Sequence, residues 1–348
     1  MTATESVASP PPVVTVIVPA RNEEVSLAAC LESLVAQTGL AFEIVVVDDH
    51  STDRTRAIAE SFPAVRLIEA AALPDGWTGK NNAVITGARA AGGQWLLFTD
   101  ADTVHLPGSL ARALNEARES SADLLSYSPE QIAVTFWEMA TLPVVFAELT
   151  RRYPPSKVSD PNSAAAAANG QYILIRREAY DAVGGHAAIA SNILEDVALA
   201  CAVKAAGRKI RFRYAADAVR TRMYRNYRQL RDGWTKNLAL LFPNPARLAA
   251  KTLALWMSLW IVMLVANAAP ARHWRNAGLL IILMNLMWLM ARLRRANFAS
   301  GNIMLAALFG MPMFAYLLLR SKRAHAKGTV PWKGRIYSDK GGLLAPGH

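Results

Sequence analysis

Three stretches, Thr252–Ala269, Ala277–Ala291 and Asn302–Leu319, carry no Asp, Glu, Lys or Arg and crowd the last third of this 348-residue chain. As helices the first and third reach about 27 Å and the middle one about 22 Å, against a bilayer hydrocarbon core of about 30 Å. Such stretches either bury themselves in a soluble core or meet lipid. Their flanks favour lipid: Arg247 and Lys251, Arg272 and Arg275, Arg292, Arg294 and Arg295, then Arg320, Lys322 and Arg323 suit phosphate head groups. The sequence therefore predicts a membrane segment of two to three hydrophobic helices over 246–320 and a basic tail over 321–348.

The rest of the chain is of a different kind. The full chain, with 53% hydrophobic and 19% charged residues, is not disordered. Lys and Arg outnumber Asp and Glu by 38 to 27, so the +11 balance calls for a polyanionic partner, an anionic substrate or a membrane surface. Only two cysteines occur, Cys30 and Cys201, both in predicted helices, which supports neither a disulfide framework nor a Cys-based zinc site. Residues 1–12 read as a disordered Ser/Pro-rich leader. They lack a basic segment followed by an apolar one, so no signal peptide is expected and the amino-terminal domain is placed in the cytoplasm.

From Val13 the pattern alternates. Val13–Val18, Glu43–Val47, Val65–Glu69 and Gln94–Thr99 read as strands, and Glu24–Gln37, Thr52–Ser61 and Lys80–Ala91 as helices, with Asn22 and Ser51 as N-caps of the first two. Alternation of this kind implies an α/β fold with a mostly parallel central sheet, in which ligands sit beyond the carboxyl ends of the strands. Acids fall at those ends. The second strand runs into Asp48 and Asp49, and the fourth into Asp100-Ala101-Asp102. In an extended segment Asp100 and Asp102 share one side, where a hard divalent ion, Mg2+ or Mn2+, would offset their repulsion. A third pair, Glu195-Asp196, opens a predicted helix. The glycine-rich dinucleotide fingerprint, the phosphate loop and the serine nucleophile elbow are all missing, which argues against redox, NTP-hydrolase and α/β-hydrolase chemistry of those types.

Taken together, Val18-Pro19-Ala20-Arg21-Asn22-Glu23-Glu24, Asp48-Asp49-His50-Ser51-Thr52-Asp53, Asp100-Ala101-Asp102 and Glu195-Asp196 resemble the family 2 glycosyltransferases of the GT-A fold, in order and in spacing, over roughly Val13–Leu240. The resemblance implies a nucleotide-sugar-binding GT-A domain over 13–245 and inverting sugar transfer from a nucleoside diphosphate sugar. By position, Pro19, Ala20, Arg21 and Glu23 are similar to the segment that cups the nucleotide, Asp49 to the acid on the base or ribose, and Lys80 to a basic residue near the nucleotide. The D-x-D pair maps to Asp100 and Asp102, with Asp102 the direct metal ligand. Asp196 stands first as catalytic base and Glu195 second.

Many membrane relatives carry Q-x-x-R-W. Here the chain reads Gln229-Leu230-Arg231-Asp232-Gly233-Trp234, keeping Trp234 for the donor site without the arginine before it. That favours single-sugar transfer over a processive polysaccharide synthase, and leaves Arg231 or Lys236 to supply a cation by the diphosphate. The segment Thr329–Tyr337 resembles the Trp-Lys-Gly-Arg-x-Tyr end of membrane-bound lipid glycosyltransferases. Its return to the active-site side would require one apolar segment, the short Ala277–Ala291, not to cross. Gln131–Arg151, broken by Pro143, reads as an interfacial helix or equally a core helix, and Ala164–Ala168 as a mobile loop. His50, His105 and His186 read as packed or loop histidines, and Gly184-Gly185 as an acceptor-side turn or a helix C-cap. The expected protein is a multi-pass enzyme of the cell membrane that glycosylates a membrane lipid from a nucleotide-sugar, a UDP-sugar, with the bilayer and not nucleic acid as its large partner. A catalytically silent nucleotide-binding scaffold is the rival from outside enzymes.

Overall fold

The computed structural model describes residues 12–268, 271–294, 298, 300–328 and 330–337. The leader, apart from Pro12, lies outside the described residues, as do Arg295 and residues 338–348 of the basic tail. The amino-terminal part alternates β1 (Val14–Ala20), α1 (Leu27–Val35), β2 (Phe42–Asp48), α2 (Thr55–Glu60), β3 (Val65–Glu69), α3 (Gly79–Ala90) and β4 (Trp95–Phe98). Then come β5 (Thr103–His105), α4 (Ser109–Glu119), β6 (Leu124–Ser128), β7 (Glu130–Gln131), α5 (Phe136–Arg152), α6 (Pro155–Ser159) and β8 (Ile173–Arg176). They are followed by α7 (Arg177–Ala182), α8 (Gly185–Ala188), α9 (Glu195–Ala205), β9 (Ile210–Tyr214), β10 (Val219–Thr221) and α10 (Tyr227–Leu241). The last part holds α11 (Pro245–Ala268), α12 (Arg272–Arg294), α13 (Ser300–Leu305), a π-helical turn (Ala306–Gly310), α14 (Met311–Ala326) and the hairpin β11 (Val330–Trp332) and β12 (Arg335–Tyr337).

The chain forms two compact units. One comprises 1–129, 158–190 and 195–220, the other 130–157, 191–194 and 221–348. The division does not fall at residue 245, since 130–157 and 221–244 belong with the apolar helices.

In the first unit a seven-stranded sheet runs β3-β2-β1-β4-β8-β6-β9. β3, β2, β1 and β4 are mutually parallel, β8 is antiparallel to both its neighbours, and β6 and β9 are parallel. The register pairs Ala20 with Asp48, Asp48 with Glu69 and Ile17 with Phe98, which aligns the carboxyl ends of these strands along one edge. Strand alternation sends Val14, Val16, Val18, Ile44 and Val46 into one core with Leu27, Leu31 and Leu34 of α1 and Leu110, Ala113 and Leu114 of α4. α3 packs over β1 and β2. Burial on both faces explains why β1, β2 and β4 read as near-continuous apolar runs.

The expected N-caps need correction. α1 is flanked by Ser26 and α2 by Arg54, neither with a side-chain cap bond, whereas Asn22 and Ser51 bond across two loops. Pro19 and Ala20 lie inside β1, paired with Val47 and Asp48, so the strand runs two residues further than its β-branched part.

The second unit is helical. α5 starts at Phe136, not 131, behind a capping box in which Glu138 Oε2 accepts from Thr135 N (2.6 Å). Glu138 is 1% exposed and is met by Arg222 Nε at 3.2 Å. Pro143 does not interrupt the helix, and Ala140–Glu148 are buried, so most of α5 is interior, with Phe136 and Trp137 exposed at its start and Arg151 and Arg152 at its end. α10 is capped by Asn226, which accepts from Gln229 N (2.9 Å). The end of α14 is bonded to it: Ser321 Oγ donates to Thr235 O (2.6 Å) and accepts from Ala239 N (2.8 Å), and His325 Nε2 donates to Lys236 O (2.9 Å).

Three helices, Pro245–Ala268, Arg272–Ala291 and Gly301–Ala326, are long and apolar enough to cross a membrane. The middle helix extends through its basic flanks over the 23 residues of α12, about 34 Å, so length no longer singles it out as the one that does not cross. Burial separates them differently: 11% of the most apolar stretch is buried in each of the first two and 56% in the third. α11 and α12 expose Met257, Ile261, Leu264, Leu279, Met284 and Trp288, an apolar surface of a size that water-exposed helices do not keep.

Candidate active site

Two loops leave the sheet side by side, after β1 and after β2. Asn22 adopts a left-handed φ of 52°, its N–H donates to Ser51 Oγ (3.0 Å), and its side-chain oxygen accepts from Thr52 N (2.9 Å). Glu23 N donates to Thr55 Oγ1 (2.7 Å) and Glu24 N to Asp53 Oδ2 (3.1 Å). Arg21 Nη1 donates to Asp49 O (2.6 Å) and lies 3.9 Å from Asp49 Oδ2, and Asp49 is 4% exposed. Arg21, Glu23 and Asp49, three candidate donor-binding residues, thus belong to one cross-braced edge. Buried backbone polar groups must find partners, and the acids and hydroxyls here supply them.

Beside that edge lies a cluster of buried and half-buried charges. Thr78 caps α3 by accepting from Asn81 N (3.2 Å), which sets Lys80 in the first turn. Lys80 Nζ lies 2.7 Å from Asp100 Oδ1, beyond β4, and 2.6 Å from Glu195 Oε1, the first residue of α9. Desolvation opposes the ammonium charge, but Asp100 and Glu195 outweigh it and hold the Lys80 pKa well above the ordinary lysine range. Asp196 adjoins. Its Oδ2 accepts from Gly170 N (3.0 Å) and its Oδ1 from Val197 N (2.8 Å). Burial and then the Glu195 charge push its carboxyl up to about 6, against the pull of Lys80 and of the two N–H donors. A half-buried carboxylate poised there is suited to accept a proton near neutral pH.

Gly170, which follows the alanine-rich loop, is not among the residues that the sequence singles out. A Cβ on it would stand 3.2 Å from both Glu195 Oε1 and Lys80 Nζ, so only glycine leaves these charges undisturbed. The Asn-Gly pair after the alanines was the available signal. The loop itself is irregular, as expected, but Ala166–Ala168 are buried.

Asp102 sits in a turn between β4 and β5, so strand alternation does not govern its direction relative to Asp100. Both carboxylates act on the buried Cys30 of α1: burial, then the Asp102, Asp100 and Glu23 charges, push that thiol far above its ordinary range. Among the described residues no three His, Cys, Asp or Glu side chains form a ready metal-ligand set. Hard carboxylate oxygens from Asp100 and Asp102 still fit a Mg2+ or Mn2+ ion, because such ions commonly take one or two protein carboxylates and complete their shell with substrate phosphates.

Trp234 belongs to the second unit and is 2% exposed, with its ring edge-on to Phe146 (6.1 Å) and Tyr224 (6.0 Å) in the packing around α10. Arg231 Nε is spent on Asp232 Oδ1 at 2.8 Å. His105 and His186 are packed histidines whose burial pushes them down to about 3 and about 4. The Thr99 hydroxyl donates to Gln171 O, so His105 Nε2 donates to it. His50 is a loop residue, 3.1 Å from Glu69 Oε1. Gly185 has φ 52°, and a Cβ there would meet the Tyr180 ring at 2.5 Å. Ring packing, not an acceptor, requires it.

Residues 15–184 match the family model described as Glycosyl transferase family 2. The chain is similar to the 4,4'-diaponeurosporenoate glycosyltransferase of Staphylococcus aureus (strain MRSA252), 28% identical over 332 residues that cover 93% of this chain and 88% of the relative. The protein of the same name from strain USA300 is 26% identical over the same share of each chain. Among solved structures it is similar to the mannosyltransferase PcManGT from Pyrobaculum calidifontis in complex with GDP-Man and Mn2+, with a TM-score of 0.54, 19% identity, and coverage of 91% of this chain and 87% of that one. At that identity the likeness concerns the fold.

Proposed function

Because residues 15–184 match the glycosyltransferase family 2 model and the fold is that of the GT-A type, we propose that this chain is a member of that family and transfers a single sugar, with inversion, from a nucleoside diphosphate sugar to a lipid held in the membrane. The observation that carries the reading is the cluster of Lys80, Asp100, Glu195 and Asp196 at the carboxyl edge of the sheet, in a chain that also has three helices able to cross a bilayer. Pro19, Ala20, Arg21, Glu23 and Asp49 form the donor edge, with Lys80 and Asp100 towards the diphosphate. UDP-sugars are the proposed donors.

Asp196 is the proposed base. It takes the proton of the acceptor hydroxyl as the new bond forms at the anomeric carbon, while the bond to the diphosphate breaks on the opposite face, which inverts the configuration. Glu195, tied to Lys80, supports Asp196 rather than competing for its role. A divalent ion, Mg2+ or Mn2+, held by Asp102 and Asp100, would supply Lewis-acid neutralisation of the leaving diphosphate. The compound in the relatives' name favours a carotenoid-type acceptor among membrane lipids.

The membrane part is proposed to have α11 and α12 in lipid, since both expose apolar faces, and the third apolar helix folded onto α5, α10 and α11. The end of α14 is bonded to α10, which runs into α11 after three residues, so both lie on one side of the bilayer. That side is the cytoplasm, where nucleotide-sugars are made.

The test is transfer from labelled UDP-sugars by the full chain in native membranes, with the lipids resolved by mass spectrometry. One added sugar per lipid, lost with Asp102→Ala, is expected. A ladder of products points instead to a processive synthase, and donor binding without turnover to a silent scaffold.

A further inference from the structure

We propose that Lys80 is an internal counter-cation that keeps the acidic site from binding a divalent metal until the nucleotide-sugar arrives, so that metal and donor bind as a pair. The inference rests on the metal-dependent reading above. Its basis is a geometry that sequence resemblance did not supply. A lysine expected only to line the nucleotide instead spans two carboxylates from distant parts of the chain, Asp100 Oδ1 at 2.7 Å and Glu195 Oε1 at 2.6 Å.

An ammonium is a compact point charge on a flexible four-carbon stem, able to change partners without moving the backbone. Brought together without a cation, Asp100 and Glu195 would repel, and Asp196 next to them adds to that repulsion. Lys80 removes it, and Gly170 leaves the ammonium room, since a side chain there would come within 3.2 Å of Nζ and of Glu195 Oε1. The same contact has a second effect. Any metal that uses Asp100 must compete with an ammonium already seated on Oδ1.

No group of three acids, histidines or cysteines among the described residues offers a metal an alternative set. Without a donor, a metal must therefore displace the Lys80 ammonium from Asp100 or do without that oxygen. A diphosphate changes this balance, because its anionic oxygens give Nζ a stronger partner and release Asp100. Lys80 thus acts as a positioning residue for the metal and as a contact for the donor, in that order of occupancy.

The experiment measures Mn2+ binding to the full chain in detergent, by electron paramagnetic resonance of free Mn2+, with and without UDP. For the wild type, UDP is expected to tighten Mn2+ binding about tenfold or more. Lys80→Met should bind Mn2+ without UDP about tenfold more tightly than the wild type, since a full opposing charge has been removed from the carboxylates, and should gain less from UDP. Lys80→Arg keeps the charge and should behave as the wild type does. Lys80→Gln serves if the methionine variant does not fold, as judged by its thermal midpoint. Equal or weaker Mn2+ binding by the neutral variants in the absence of UDP overturns the role of Lys80 and leaves metal dependence standing. Absence of Mn2+ binding by every protein even with UDP overturns both, and so separates the two failures.

Discussion

Replacing Asp196 by Asn removes the proposed base while changing little volume, and the structure sets the size of each consequence. Native Asp196 is pushed from its ordinary 3.8 to about 6, so the folded chain holds this proton more tightly than the unfolded chain does. Stability from this group therefore falls as pH rises from 3.8 to about 6 and stays reduced above that. The gap amounts to about 2–3 kcal/mol for a carboxylate that keeps some solvent. Asparagine escapes that penalty. In exchange its amide NH2 must face one of two backbone donors, Gly170 N or Val197 N, both of which now meet an oxygen. A misdirected polar contact of this kind costs about 1–3 kcal/mol. The two effects nearly cancel, and the variant should fold with a thermal midpoint close to that of the wild type at pH 7.

Catalysis has no such compensation. Loss of a general base lowers the rate about 10²–10⁴-fold, or roughly 3–5 kcal/mol in the barrier. The assay is initial-rate sugar transfer to membrane lipid from pH 5 to 9. The wild-type rate should rise through an inflection near pH 6 to a plateau, because the base acts only when ionised. In Asp196→Asn the rate should fall at least about a hundredfold and the inflection should vanish. Activity within about tenfold of wild type, or an acid limb that persists in the variant, would refute the assignment of the base.

Two further outcomes follow from geometry outside the reaction. Gly185→Ala forces a side chain into a φ of 52° and against the Tyr180 ring at 2.5 Å, and should cost about 2–4 kcal/mol, read as a drop of roughly 4–12 °C in thermal midpoint; an unchanged midpoint would show that the ring yields freely. In inside-out vesicles a carboxyl-terminal tag should be cleaved by added protease while a cysteine placed at Ala271, between α11 and α12, stays protected from an impermeant thiol reagent; a protected tag would mean that the third apolar helix crosses.

Local pattern made much of this protein readable before any tertiary contact was known. β3 lies over Val65–Glu69 as expected, and α3 differs from its expected bounds by one residue, because a β-branched run or a helical apolar period is a property of a few neighbouring residues. The positions of Asp49, Asp100 and Glu195-Asp196 at element ends were equally legible, since strand ends and helix starts are local events. The three apolar helices were visible for the same reason. What the pattern misjudged were choices between partners. Asn22 and Ser51 looked like N-caps and proved to be cross-loop braces, because a side chain that can cap can also bond a neighbouring loop once the sheet brings it near. Within the Thr329–Tyr337 motif, residues 330–337 fold as a hairpin whose Lys333-Gly334 turn has both residues at positive φ, a pairing of strands that its residue pattern does not announce.

From its order of residues alone, this chain was bound to make a largely parallel sheet with carboxylates at one edge and to carry helices that water does not suit. Folding alone chose which charges meet. Lys80 could have paired with any nearby acid, and it was the tertiary fold that brought Glu195, at the start of α9, and Asp100, beyond β4, to the same ammonium and Gly170 to Asp196. Periodicity acts within an element, whereas the contacts that shift a pKa or seat a metal join elements far apart in the chain, and their distances exist only once the core has packed.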